Sequence, residues 1–74
     1  MNLKLYTKTV CPKCLWVKSE LVAKGIDVEV VNIDHEENAR TFLQQQGVLA
    51  VPVLQTADEL LVTPASILGF VEQQ

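Results

Sequence analysis

Apolar residues first gather at Leu3, Leu5 and Tyr6, and the run gives way to the polar pair Lys8-Thr9 just ahead of Cys11. This predicts a short strand over Leu3 to Thr7. From Pro12 the spacing changes to a helical one. Leu15, Val17, Leu21 and Val22 supply an apolar stripe, Pro12 suits the first helical position, and Gly25 stands where a left-handed cap belongs, so a helix is expected over about residues 12 to 24. Asp27 to Ile33 is rich in β-branched residues (Val28, Val30, Val31, Ile33) and predicts a second strand, expected to be buried. Asp34, with Glu37 three residues later, offers a capping-box start, and Ala39, Phe42 and Leu43 then form a helical face that closes at Gly47.

The stretch Val48 to Leu54 would read as a continuous strand but for Pro52, which has no ladder donor and so belongs at a strand's start. Ala57-Asp58, between Val53 to Thr56 and Glu59 to Val62, predicts a hairpin turn. Thr63-Pro64 caps a final helix whose face is Ile67, Leu68 and Val71, and Gly69 in its interior costs about 1 kcal/mol relative to Ala. The order is strand, helix, strand, helix, strand, strand, helix, with the first two strands parallel through a right-handed crossover. That is an α/β chain, βαβαββα, with a four-stranded mixed sheet flanked by three helices. No repeat or linker interrupts it, and residues 1–74 are read as a single domain.

Composition narrows the field. With 74 residues, 49% of them hydrophobic, the chain can build one core but hardly two. The net charge of -3, with the five lysines taken as dispersed along the chain, argues against nucleic acid or an anionic membrane as the main partner. No stretch approaches the roughly 20 apolar residues that span a bilayer, and the first residues lack the apolar run of an export signal. No membrane association is expected, and the expected location is the cytoplasm. Two cysteines only, separated by two residues, argue against a structural disulfide framework. Redox chemistry or metal binding remains.

The Cys11-Pro12-Lys13-Cys14 motif bridges a strand end and a helix start, where backbone N–H groups are unpaired and the helix dipole is positive. Such settings lower a cysteine pKa from about 8.5 to roughly 3.5–7.5 and make its sulfur nucleophilic. Lys8 and Lys13 add positive charge nearby, and Pro12 constrains the turn. Cys11 is therefore the expected nucleophile, and Cys14, one turn into the helix, the thiol that resolves the mixed disulfide. The rival is a metal or iron-sulfur cluster held by the CxxC at a subunit interface, since two thiolates are half of a closed site and His35 is the only other good donor. His35, with Glu36 and Glu37, is read as a solvated helix start.

Tyr6-Thr7-Lys8-Thr9-Val10-Cys11-Pro12-Lys13-Cys14 resembles the active-site segment of glutaredoxins, and Ala50-Val51-Pro52-Val53 resembles their Thr-Val-Pro segment. The resemblance implies a thioredoxin-like fold and a protein disulfide reductase with no bound cofactor. It implies a cis Val51-Pro52 peptide facing Cys11, with the Val51 backbone pairing with an incoming substrate strand. Lys8 and Tyr6 match family positions near the substrate groove, with core packing equally open to Tyr6, and the resemblance puts Pro12 and Lys13 at the groove's edge.

Two departures bear on the reductant. Lys13 stands where the glutaredoxin motif usually has Tyr, and Leu61-Val62-Thr63-Pro64-Ala65-Ser66 replaces the Gly-Gly pair and Asp that receive glutathione. The second weighs against glutathione binding. The chain in this respect resembles NrdH-type redoxins, which take electrons from thioredoxin reductase and pass them to ribonucleotide reductase. The resemblance leaves either glutathione or thioredoxin reductase with NADPH as the external reductant, and ribonucleotide reductase as one candidate protein substrate. Their Trp-Ser-Gly-Phe-Arg-Pro stretch is absent. Leu15 and Trp16 cannot both face the core that Val17 and Leu21 define, so Trp16 is expected to look outward, with the pair a candidate docking patch beside the nucleophile. The protein is expected to act as a monomer.

Overall fold

The computed structural model describes residues 3–74, so the first two residues of the expected domain lie outside it. The elements are β1 (Lys4–Thr7), α1 (Pro12–Ala23), β2 (Glu29–Asn32), α2 (Glu37–Gln45), β3 (Val53–Gln55), β4 (Leu60–Leu61) and α3 (Pro64–Glu72). The sheet order is β2-β1-β3-β4, with β1 parallel to β2 and the other pairs antiparallel. This is the expected βαβαββα arrangement.

Alternation along β1 divides the molecule into two cores. Leu3 and Leu5 join Val17 and Leu21 of α1, Leu54 of β3, and Ile67 and Val71 of α3. Tyr6 points to the other side, where Val53 and Leu43 meet it beneath α2. Leu5, Val17, Leu21, Leu54 and Ile67 are fully buried, each contributing roughly 1.5–3 kcal/mol of transfer free energy.

Helices α1 and α2 stop in the same way. Gly25 and Gly47 have φ of 69° and 73°, the left-handed region that favours glycine. The amides of Gly25 and Ile26 donate to Val22 and Leu21 carbonyls, and those of Gly47 and Val48 donate to Gln44 and Leu43, two complete Schellman motifs. In each, the residue after the glycine packs into the core that the helix covers.

Three expectations are corrected. β2 is an edge strand paired on one side only, so Val30 is 42% exposed rather than buried. Asp34 does not cap α2. Glu36 holds the N-cap position without a side-chain bond, and the Asp34 carboxylate is turned elsewhere. The apolar stripe of α1 is split: Val17 and Leu21 are buried with Cys14, while Leu15 and Val22 face solvent. Trp16 also looks outward, as expected.

The β3–β4 turn centres on Ala57-Asp58 without glycine. The Thr56 hydroxyl instead accepts the amides of Asp58 and Glu59 at 3.2 and 3.1 Å, and the Thr56 amide donates to the Glu59 carbonyl at 2.9 Å. Thr63 caps α3 in a reciprocal box: the Ser66 amide donates to Thr63 Oγ1 at 3.1 Å and the Thr63 amide to Ser66 Oγ at 3.3 Å.

Candidate active site

Cys11 is itself the N-cap of α1. Its backbone is extended (φ -151°, ψ 90°), Pro12 follows at the first helical position, and the Cys14 amide donates to Cys11 Sγ at 3.2 Å. A sulfur thus takes the place an oxygen usually fills at a helix start, and it sits on the positive end of the dipole with no carboxylate in the first turn. Cys11 and Cys14 are joined as a disulfide, their Cα atoms 5.2 Å apart. That separation lies within the range a disulfide spans without backbone movement. Cys11 retains 7% exposure and Cys14 only 3%, the order expected of an attacking and a resolving sulfur, although the difference is small in the disulfide form.

The Val51-Pro52 peptide is cis, and Pro52 is fully buried at the start of β3. Because Tyr6 pairs with Val53, Pro52 flanks the end of β1 from which the chain leaves toward Cys11. Lys8 and Val51 line one cleft of about 350 Å³ together with Asp34, Arg40, Ile33 and Leu43. Val10 and Leu49 are exposed apolar side chains. Lys13 projects into solvent from the first turn of α1.

Of the two places open to Tyr6, beside the groove or in the core, it takes the second core. Its ring stacks on Phe42 with centroids 6.2 Å apart, its hydroxyl donates to Gln55 Oε1, and burial, reinforced by the nearby Glu29 charge, raises its pKa above the usual phenol value. Even periodicity along β1 was the signal: position 6 faces away from Leu3 and Leu5.

The loop before Cys11 is held by residues to which sequence reasoning gave no such role. The Thr9 amide donates to Asp34 Oδ2 at 2.9 Å, Asn32 Nδ2 reaches Thr9 Oγ1 at 3.4 Å, and Arg40 Nη2 pairs with Asp34 Oδ1 at 2.8 Å. The Asp34 amide in turn donates to Asn32 Oδ1 at 2.8 Å. Hydrogen bonds from Thr9, with smaller help from the Arg40 and His35 charges, hold the Asp34 carboxyl below its ordinary pKa. Its spacing to Glu37 suggested a local cap, whereas its real partner lies 25 positions back along the chain. Among the described residues no group of three or more His, Cys, Asp or Glu side chains is placed to hold a metal ion, and no helix is long and apolar enough to cross a membrane.

A family model described as Glutaredoxin matches residues 3–61. The glutaredoxin-like protein NrdH of Salmonella typhimurium is 31% identical over 58 residues, covering 78% of this chain and 72% of that protein. The structure of the Escherichia coli glutaredoxin-like protein NrdH-redoxin, described as having a thioredoxin-like activity profile, superposes with a TM-score of 0.83 at 28% identity over 93% of both chains. A silkworm glutathione S-transferase superposes with a TM-score of 0.77 at 26% identity, covering all of this chain but 38% of that one.

Proposed function

This chain belongs to the glutaredoxin family and is a thiol-disulfide oxidoreductase, and from that premise we propose that it is a dithiol electron carrier for protein disulfides, reduced by a thioredoxin reductase with NADPH. The observation that carries the reading is the Cys11-Cys14 pair at the head of α1, with Cys11 Sγ as the helix cap.

The helix tip favours Cys11 as thiolate. Its sulfur attacks one sulfur of the substrate disulfide, forming a mixed disulfide and releasing the first substrate thiol. Cys14, deprotonated as it reacts, then attacks Cys11 Sγ. The second substrate sulfur leaves and takes up a proton, and the Cys11-Cys14 disulfide remains. Two electrons have passed to the substrate, and the reductant returns them. No bound cofactor enters this cycle.

Lys8, Val51 and Pro52 are the proposed substrate contacts, the Val51 backbone pairing with an extended segment of the partner, with Pro12 and Lys13 at the groove's edge. Two observations favour thioredoxin reductase over glutathione. At the start of α3 the Gly-Gly pair and Asp that the glutaredoxin resemblance calls for are replaced by Val62, Thr63 and Pro64, and the Thr63 side chain is engaged with Ser66 in the capping box. The Escherichia coli redoxin it superposes on has a thioredoxin-like activity profile. Ribonucleotide reductase is the proposed protein substrate, by likeness to the NrdH relatives. The proposal takes the chain as one domain over residues 1–74, acting as a monomer in the cytoplasm.

The test is a direct comparison. Oxidised protein is mixed either with thioredoxin reductase and NADPH or with glutathione at cellular concentration, and dithiol formation is followed. Faster reduction by the flavoenzyme is expected, and equal or faster reduction by glutathione would overturn the choice of reductant.

A further inference from the structure

The solvent face of α1 is unusual for a small acidic protein. Leu15 and Val22 are 68% and 65% exposed, and with Lys18, Ser19 and Ala23 they line a shallow groove of about 420 Å³. Positions 11, 15, 18 and 22 are spaced four, three and four residues apart, so they stack along one side of a helix. The strip therefore begins at the nucleophilic sulfur and runs roughly 16 Å down the helix, at 1.5 Å per residue. The other side, carrying Cys14, Val17 and Leu21, is the buried one.

Charge is unevenly placed along the chain, and Lys18 lies on the strip itself. The lysines are not dispersed: all five lie between residues 4 and 24, and Glu20 is the single acidic residue in that span. Lys8, Lys13, Lys18 and Lys24 are all exposed. Eight of the nine carboxylates lie after residue 26. A chain of net charge -3 thus gathers its lysines in the segment that carries the redox centre, with Lys18 on the strip and Lys8 and Lys13 within three residues of Cys11.

Resting on the dithiol-carrier reading, we propose that this face of α1 is a docking strip for the disulfide partner, which presents an acidic protein surface with exposed apolar side chains alongside its disulfide. Leu15 and Val22 take the apolar contacts, and Lys18 between them meets a carboxylate. The strip's continuity with Cys11 favours a protein over a lipid surface, because contact along it delivers a disulfide to the sulfur that attacks it. Positive charge around the site steers an acidic partner toward it and hardly affects a small neutral disulfide.

The test uses the pre-reduced protein in single-turnover oxidation, which removes any dependence on the physiological reductant. Wild type, Lys18→Glu, Val22→Ala and the double variant are each mixed with insulin, an acidic disulfide protein, and with hydroxyethyl disulfide, a small neutral one. Both positions are exposed, and equal melting temperatures confirm that the variants fold. The double variant should lose about fivefold or more of its rate with insulin, and Lys18→Glu should flatten the salt dependence, while the hydroxyethyl disulfide rate stays at the wild-type value. Unchanged rates with both substrates, or equal losses with both, overturn the proposal. So does binding to phosphatidylglycerol vesicles, or a dimer in sedimentation, that the double variant abolishes. A wild-type protein oxidised by neither substrate instead removes the dithiol-carrier function itself.

Discussion

At the scale of single residues, Cys11 carries two duties with one atom: its sulfur closes the first turn of α1 and is the group that reacts. Cys11→Ser should abolish disulfide reduction, and a residual rate near wild type would remove Cys11 from the mechanism. Cys14→Ser should instead stall the reaction as a mixed disulfide that a non-reducing gel displays. Asp34 is the second residue of consequence, since its carboxylate fastens the loop before Cys11 through the Thr9 amide. Its pKa in the folded protein lies below the ordinary 3.8, so its contribution is present above that pH and disappears as the pH falls through the depressed value. Asp34→Asn should therefore melt below wild type at pH 7, with the gap closing in acid, and its Thr9 amide should exchange faster. An unchanged gap at low pH would mean that the charge is not what holds the loop. Cys11 and Cys14 were legible in the sequence because their chemistry is local. The Asp34–Thr9 tie was not, because no periodicity couples a loop to a carboxylate on the far side of a crossover.

At the scale of elements, the helix ends were the most readable features, because a glycine after a periodic apolar run has a single conformational use. Gly47 shows this with no packing contribution, since a Cβ added there meets nothing within 4 Å while φ is 73°. Gly47→Ala should cost about 1 kcal/mol or somewhat more, the price of a left-handed residue with a side chain, read as a lower urea midpoint. The β2 strand shows where pattern reading stops. Its run of β-branched residues suits an interior parallel strand, yet whether a strand is interior depends on the order of the sheet, which no single segment encodes. The α1 stripe failed for a related reason: Leu15 and Val22 fit helical spacing but lie on the side turned from the sheet.

At the scale of the whole molecule, 74 residues leave a narrow margin, on the order of 4–11 kcal/mol by the usual per-residue stability. Leu54 lies fully buried in the larger core, paired with Leu5 in the sheet and clustered with Val17, Leu21 and Ile67 of α1 and α3. Leu54→Ala should remove about 2–5 kcal/mol, most of that margin, and leave the protein partly unfolded at 37 °C by circular dichroism. The architecture was readable because strand, crossover and hairpin follow chain order, whereas the exposed strip of Leu15, Lys18 and Val22 emerged only once the helix was wound. The capping sulfur also ties electron content to thermal endurance. A thiolate accepts the Cys14 amide more strongly than a disulfide sulfur does, so the dithiol form should melt above the disulfide form. By a thermodynamic cycle, each 1.4 kcal/mol of that difference raises the reduction potential by about 30 mV relative to the same motif in an unfolded chain. Two melting curves, with and without dithiothreitol, thus serve as a voltmeter without an electrode.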